Sequence, residues 1–154
     1  MLTRCRRRSA VVEAKTLAEG HSPLHWACIS GNVQSVYDLL QRGADPLKAD
    51  HRGYNALHHA VQYDNMVIAH LVIDYGVFVD SKDLEGHTPL MWAAYFNLDG
   101  ALRYLLAQRA DVNAQDNNGN TALHWAASKG HAKAVHVLVS AAAPPRGAHT
   151  ARPA

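Results

Sequence analysis

Histidine and cysteine are the residue types in this chain that most often carry chemistry. Eleven histidines suggest a metal site, and among them His21 and His25 are four residues apart while His58 and His59 are adjacent. No cysteine or carboxylate lies beside them at the usual spacing of a zinc ligand set. We therefore predict no metal site.

Catalysis by Cys28 has little support. A nucleophilic thiol needs a base held beside it, and Cys28 follows Ala27 in a helical pattern where a small buried thiol is the ordinary outcome. The sequence contains no phosphate-binding G-x-x-x-x-G-K-[ST] loop, no G-x-S-x-G nucleophile motif and no zinc-finger pattern. We expect neither catalysis nor a cofactor.

Length and composition indicate one folded domain. The 154 residues are 48% hydrophobic and 18% charged, which is enough apolar material for a sizeable core. The longest apolar stretches are interrupted by His70 and His136, too early for the roughly 20 residues of a membrane span. Two cysteines and the lack of a secretory apolar region favour a reducing, cytoplasmic setting.

Charge is distributed unevenly along the chain. The formal charge is +2, but residues 21–143 hold 8 basic against 11 acidic residues. A folded region that is slightly acidic gives little support to specific nucleic-acid binding. The Arg4 to Arg8 cluster is either a solvated end or a nuclear, nucleic-acid or transit signal.

A repeat of 33 residues sets the architecture. Glycines recur at this spacing, as Gly20, Gly53, Gly86 and Gly119. Each is followed by a segment close to T-P-L-H-x-A, such as Thr88-Pro89-Leu90-Met91-Trp92-Ala93, and these segments resemble the signature of ankyrin repeats. The resemblance implies an all-α solenoid of four helix-turn-helix units with projecting β-turn fingers, and it gives His25, His58 and His124 a structural role.

Local signals agree with that fold. Ser22, Asn55, Thr88 and Thr121 are of helix N-cap types, and the residues predicted to end the first helices tolerate a left-handed backbone: Gly31, Asp64, Asn97 and Gly130. We predict units at 20–52, 53–85, 86–118 and 119–142, the last incomplete. Residues 1–19 and 143–154 are predicted to be disordered tails, and the chain has the pattern of a slice from a longer array.

One face of the first helices is the candidate binding site. In the ankyrin fold this face lines a concave groove, and six of the chain's eleven aromatic residues fall on it. Such enrichment is typical of a peptide-binding surface, although the tryptophans would also suit packing between helices. The predicted partner-binding residues are Trp26, Ile29, His59, Gln62, Tyr63, Trp92, Tyr95, Phe96, Trp125 and Lys129.

The amino-acid sequences of three units are similar to the N-terminal ankyrin domain of DHHC-type protein S-acyltransferases, the palmitoyltransferases. The segments begin at Ser22, Gly86 and Asn120 and occur in that family's order. The resemblance implies recruitment of extended substrate peptides on the cytosolic face of Golgi or endosomal membranes, with Trp26 among the contacts. The zinc domain, Asp-His-His-Cys motif and membrane helices of the enzyme have no counterpart in the sequence, so this chain is not expected to transfer an acyl group alone.

Three functions stay open on this basis. The first is a monomeric, non-catalytic module that binds a protein or extended peptide, the second is the recruiting region of a palmitoyltransferase, and the third is a structural spacer.

The pattern from Leu105 to Asn113 resembles ankyrin sites where an asparaginyl hydroxylase modifies asparagine, which marks Asn113 as a modification candidate.

Overall fold

The computed structural model describes residues 19–142, which contain eight helices and no strand. The helices are α1 (Pro23–Ser30), α2 (Val33–Gln41), α3 (Ala56–Gln62), α4 (Met66–Asp74), α5 (Pro89–Tyr95), α6 (Asp99–Ala107), α7 (Ala122–Ser128) and α8 (Ala132–Ala142). Each unit contributes two helices joined by a tight turn. The predicted all-α repeat architecture is confirmed.

The helices form two layers. The first helices of the units, α1, α3, α5 and α7, pack one on the next, and the second helices, α2, α4, α6 and α8, form a parallel row behind them. Every helix also packs against its partner in the same unit. One helix pair has too little apolar surface to fold alone, so these contacts between units supply the core.

The local signals act as predicted where the first helices end and at three of their four N-termini, whereas the Thr121 hydroxyl contacts the His124 ring at 2.9 Å instead of a backbone N–H. Ser22 and Thr88 accept a hydrogen bond from the backbone N–H three residues later, and Asn55 accepts two. The residues that end these helices have φ between 56° and 71° and reverse the chain direction: Gly31, Asp64, Asn97 and Gly130. The short first helices are therefore fixed by local chemistry.

The core repeats in step with the sequence. Leu24, Leu57 and Leu90 are fully buried, and the alanines three residues later let adjacent first helices approach closely. The apolar positions of the second helices were also expected to be core, but three of them are exposed: Val33, Ala132 and Val139. Val33 is the first residue of α2, and no further helix pair covers Val139 within residues 19–142.

Backbone hydrogen bonds join the fingers, which are the turns at 50–53, 83–86 and 116–119. Each is a turn closed by a hydrogen bond from a glycine N–H to an aspartate carbonyl, as from Gly86 to Asp83 at 3.0 Å. Neighbouring fingers are joined by single bonds such as Leu84 N–H to the Arg52 carbonyl at 3.1 Å. In the first of these links His51 donates to Glu19, so the described fold begins one residue before Gly20. The remainder of the two predicted tails, residues 1–18 and 143–154, lies outside the described residues.

Candidate functional site

The predicted groove residues of the third and fourth units form one aromatic cluster, consisting of Trp92, Tyr95, Phe96 and Trp125. Trp92 stacks on Phe96 with ring centroids 5.9 Å apart, and Tyr95 bridges Trp92 and Trp125 at 5.8 and 5.7 Å. Helices α5 and α7 present these rings because residues three and four apart share a helix face. All four remain partly or largely exposed, so the cluster is a surface and not a closed core.

Lys129 adds a positive charge to the aromatic cluster. Its ammonium nitrogen lies 4.3 Å from the centroid of the Tyr95 ring, within the range of a cation–π interaction. Lys129 is itself exposed. The structure thus joins five of the ten predicted partner-binding residues into one patch.

A pocket of about 210 Å³ opens within this patch. Its lining includes Trp92, Tyr95 and Trp125, together with three residues absent from the predicted site: Glu85, His87 and Met91. The His87 ring packs edge-on against both tryptophans, 5.3 and 5.2 Å from their centroids. His87 follows the repeated glycine by one position, as His21 and Tyr54 do in the first two units, and this recurrence was the available sequence signal.

Buried aspartates hold the two tryptophans in place. The indole nitrogen of Trp92 donates to Asp83 at 3.2 Å, and that of Trp125 donates to Asp116 at 3.1 Å. Burial alone would raise the pKa of Asp116, but the backbone N–H groups of Asn120 and Asn118, with the Asn120 amide and the Trp125 indole, lower it below its ordinary value. Since the indole N–H groups are engaged inside the protein, these rings offer a ligand their apolar faces.

The predicted partner-binding residues of the first two units do not form one cluster. Trp26 is 46% exposed and meets His21 edge-on at 5.2 Å, but within residues 19–142 no ring contact joins it to the aromatic cluster. Ile29, Gln62 and the exposed Tyr63 line a separate pocket of about 500 Å³. The described structure therefore has two candidate binding regions on the groove side.

His59 differs from its expected position on the groove surface. It is only 3% exposed, and its Nε2 lies 3.1 Å from Asp50 Oδ2. It occupies the place of a tryptophan in the aspartate pairing, and its smaller ring sinks below the surface. Burial, followed by the neighbouring charges of His25 and His21, lowers the pKa of His59 to about 4 against the opposing effect of Asp50.

The sequence-based reason for excluding a metal ligand set needs correction. Asp50 lies 29 residues after His21 and nine before His59, too far for a spacing rule, yet its Oδ2 is 3.1 Å from Nε2 of both histidines. The three donor atoms lie within 4.8 Å of one another. The fold supplies the carboxylate that the local sequence does not show.

The structural role expected for the repeated histidines is visible in their hydrogen bonds. Nδ1 of His25 accepts from the Ser22 backbone N–H at 3.0 Å, and its Nε2 lies 2.9 Å from the Lys48 carbonyl. His58 accepts from the Asn55 backbone N–H, and its Nε2 lies 3.3 Å from the His87 carbonyl, whereas the exposed His124 accepts from the Thr121 N–H at the start of its own helix. The rings of His25 and His58 connect the start of a helix to the following finger.

Cys28 and Asn113 are placed in opposite environments. Cys28 is fully buried, and this burial raises the pKa of its thiol to about 12, which disfavours the reactive thiolate. Asn113 is exposed, with its backbone N–H bonded to Asp111 Oδ1 at 2.9 Å. Its side chain lies in an open loop between α6 and the last finger.

None of the helices within residues 19–142 has the length and apolar character required to span a membrane.

A family model described as ankyrin repeats, three copies, matches the chain three times, at residues 8–83, 24–116 and 68–148. Together these matches cover most of the chain.

Palmitoyltransferases are prominent among the similar proteins. The chain is 49% identical over 73 residues to the putative palmitoyltransferase ZDHHC13 of Danio rerio, which covers 47% of this chain and 11% of that protein. It is 39% identical over 122 residues to the palmitoyltransferase AKR1 of Lachancea kluyveri, covering 77% and 17%. It is also 37% identical over 103 residues to the human neurogenic locus notch homolog protein 4, covering 66% and 5%. The chain thus spans less than a fifth of the length of each of these relatives.

Proposed function

Because this chain belongs to the ankyrin-repeat family, we propose that it is a non-catalytic module that binds an extended peptide or a partner protein in its groove. The observation that carries the proposal is the aromatic cluster with its pocket. Trp92, Tyr95 and Trp125 form a preorganised apolar surface beside Lys129, and large rigid aromatic side chains are the usual anchors of protein interfaces.

The anchoring of the rings favours binding over simple packing. Asp83 and Asp116 hold the indoles so that part of each ring faces solvent, which reduces the entropy lost when a ligand contacts them. Phe96 is still 45% exposed although it stacks on Trp92. An apolar ligand side chain inserted between these rings would cover surface that the fold leaves open.

A random-peptide display library selected against the immobilised chain tests the proposal. Peptides that bind the unmodified chain should bind Tyr95→Ala and Phe96→Ala at least about 10-fold more weakly, the loss typical of an interface anchor. Phe78→Ala is the matched control, since Phe78 is 77% exposed and makes no ring contact with the aromatic cluster. Equal losses for all three variants, or for none, would contradict a groove site.

A second candidate is favoured by the matches to two palmitoyltransferases over 73 and 122 residues. In it, the chain is the substrate-recruiting region of a membrane protein S-acyltransferase, and Trp26 is a substrate contact. This places it on the cytosolic face of Golgi or endosomal membranes, whereas a separate binding module would work in the cytosol.

Sequencing full-length transcripts across both ends of the reading frame distinguishes the two candidates. A longer product with membrane helices and an Asp-His-His-Cys motif supports the recruiting region. Its absence supports a separate module. In the first case, Trp26→Ala should lower acylation of a bound substrate by the longer protein without changing autoacylation.

A further inference from the structure

Three donor atoms converge where the first and second units meet. Nε2 of His21 and Nε2 of His59 each lie 3.1 Å from the same oxygen, Oδ2 of Asp50. The three side chains are nearly buried, at 11%, 4% and 1% exposure for His21, His59 and Asp50. Within residues 19–142 no other histidine, cysteine and carboxylate group of three converges in this way.

This arrangement departs from the array's own pattern. In the next two units the corresponding aspartates, Asp83 and Asp116, accept a hydrogen bond from Trp92 and Trp125. An indole nitrogen is a donor only and cannot ligate a cation. His59 stands in the tryptophan position, and His21 lies on the other side of Asp50. Among the junctions at Asp50, Asp83 and Asp116, the one at Asp50 is therefore the one with two potential nitrogen ligands facing its carboxylate.

The surroundings of the two ring nitrogens of His21 give a second observation. Its Nε2 faces Asp50, while its Nδ1 lies 3.2 Å from Glu19 Oε2. Nδ1 is buried and forms no hydrogen bond, although this carboxylate oxygen is near it. A cation bound at Nε2 would leave the ring proton on Nδ1, on the side of Glu19, and metal-ligating histidines usually direct that proton to a carboxylate.

His59 is suited to the same role. Its Nε2 faces Asp50 Oδ2 at 3.1 Å, and the side chain is 4% exposed, so the ring holds a fixed nitrogen toward the other two donor atoms. Its Nδ1 has no hydrogen-bond partner whether or not a cation is bound, so that atom favours neither state. All three side chains also line the pocket of about 500 Å³, which gives an ion a path of entry and room for water ligands.

The separation of the donor atoms fits a transition metal. Ligand atoms about 2.0–2.1 Å from a tetrahedral zinc ion lie about 3.3 Å from one another, close to the 3.1 Å between Asp50 Oδ2 and each Nε2. The two histidine nitrogens lie within 4.8 Å of each other. We propose that His21, Asp50 and His59 bind one divalent ion of the zinc class, with water from the pocket completing its coordination. The ion cross-links the first two units and stabilises their contact.

Cobalt(II) titration of the full chain tests this site, because tetrahedral cobalt absorbs visible light and reports its ligands. We expect one equivalent to bind with the weak bands of nitrogen and oxygen ligation, zinc to displace it, and zinc to raise the thermal unfolding midpoint. The test variant is His59→Trp, which should retain an N–H donor for Asp50, as Trp92 does for Asp83, but removes one ligand. Cobalt affinity should fall at least about 10-fold. This is a lower bound, because replacing a residue that only hydrogen-bonds to a metal ligand already costs about that much affinity.

His87→Asn is the matched control. His87 stands at the array position of His21 and contacts Asp83 and Asp116 but no second histidine, and the fourth unit has Asn120 there. Its cobalt affinity should equal that of the unmodified chain. If His59→Trp does not fold, His21→Asn removes a different ligand and should show the same loss.

Three results would overturn the site. Equal cobalt binding by the unmodified chain and the ligand variants would place the metal elsewhere. An intense thiolate-to-cobalt absorption would do so too, since the trio contains no sulfur. NMR signals of the His21 and His59 rings that do not change on adding zinc would show that no ion binds between them.

Discussion

The indole nitrogen of Trp92 lies 3.2 Å from the carboxylate of Asp83, nine residues earlier in the chain. The same relation recurs between Trp125 and Asp116 at 3.1 Å. These tryptophans are therefore anchors for the fingers as well as part of the proposed ligand surface. The two roles can be separated by substitution, because the ring supplies the surface and the N–H supplies the anchor.

Trp92→Phe should destabilise the fold while retaining much of the aromatic surface. It removes the indole donor from Asp83 Oδ2 and leaves that oxygen with the His87 ring nitrogen at 3.1 Å, and losing a hydrogen bond to a buried charged group costs about 1–3 kcal/mol in unfolding free energy. Urea unfolding followed by circular dichroism measures the change. Phe96→Leu is the control, because Phe96 stacks on Trp92 without an aspartate bond, and equal losses for both would indicate that packing dominates.

Asp116 should make stability fall in acid. Because its pKa is lowered in the fold, the unfolded chain binds a proton more readily, so its contribution is present above about pH 4 and lost as the pH falls through the folded pKa. Asp116→Asn should be less stable at pH 7 and lose less stability between pH 5 and pH 2. Denaturant unfolding across that range tests it, and parallel curves for the two proteins would contradict the prediction.

Arg109 is a local weak point that glycine should relieve. It has φ of 65° at the position where Gly43 and Gly76 stand in earlier units, and a left-handed backbone is unfavourable for a residue with a Cβ. We expect Arg109→Gly to stabilise the fold by about 0.5–1 kcal/mol. Gly76→Ala, the reverse change one unit earlier, should destabilise it, and a loss of stability in Arg109→Gly would show that its side chain matters more than its backbone.

Cys28 should resist thiol reagents in the folded protein. Raising the thiol pKa from 9.0 to about 12 leaves about 1000-fold less thiolate, and burial blocks access as well. In a Cys5→Ser background, labelling by a disulfide reagent reports Cys28 alone. The labelling rate should follow unfolding as denaturant is added, whereas rapid labelling in buffer would refute the prediction.

Asn113 should be accessible to an asparaginyl hydroxylase, because its loop is exposed. After incubation with the enzyme, the peptide that contains Asn113 should gain the mass of one oxygen atom. Asn113→Ala should abolish the gain. A mass increase that persists in that variant would assign the modification to a different residue.

Local chemistry explains why the sequence predicts the helices well. Ser22, Asn55 and Thr88 cap their helices through contacts within three residues, and Gly31 or Asp64 ends them through its own backbone. Such signals need no knowledge of the rest of the fold. The 33-residue period then orders the units, because each can bury its apolar face only against a neighbour.

The site was less predictable because its contacts cross between elements. In the sequence, three aspartates have the pattern of ordinary turn residues: Asp50, Asp83 and Asp116. Each stands nine residues before His59, Trp92 or Trp125, but this spacing does not by itself indicate a hydrogen bond between the two side chains. His59 shared its position with the tryptophans, but the depth of its smaller ring depends on how Asp50 and His21 surround it. Side-chain depth is set by packing between units, which a repeat pattern does not encode.

The single backbone bond between adjacent fingers constrains how such a protein can change its length. Leu84 bonds to Arg52 and Asn117 to Glu85, each at an offset of 32 residues, and a Cβ on Gly53 would lie 2.6 Å from the Leu84 nitrogen. One inserted residue in a finger would displace it from the fingers before and after it at once. Addition or removal of a whole unit preserves every such bond, so lineages of this protein should differ by complete repeats.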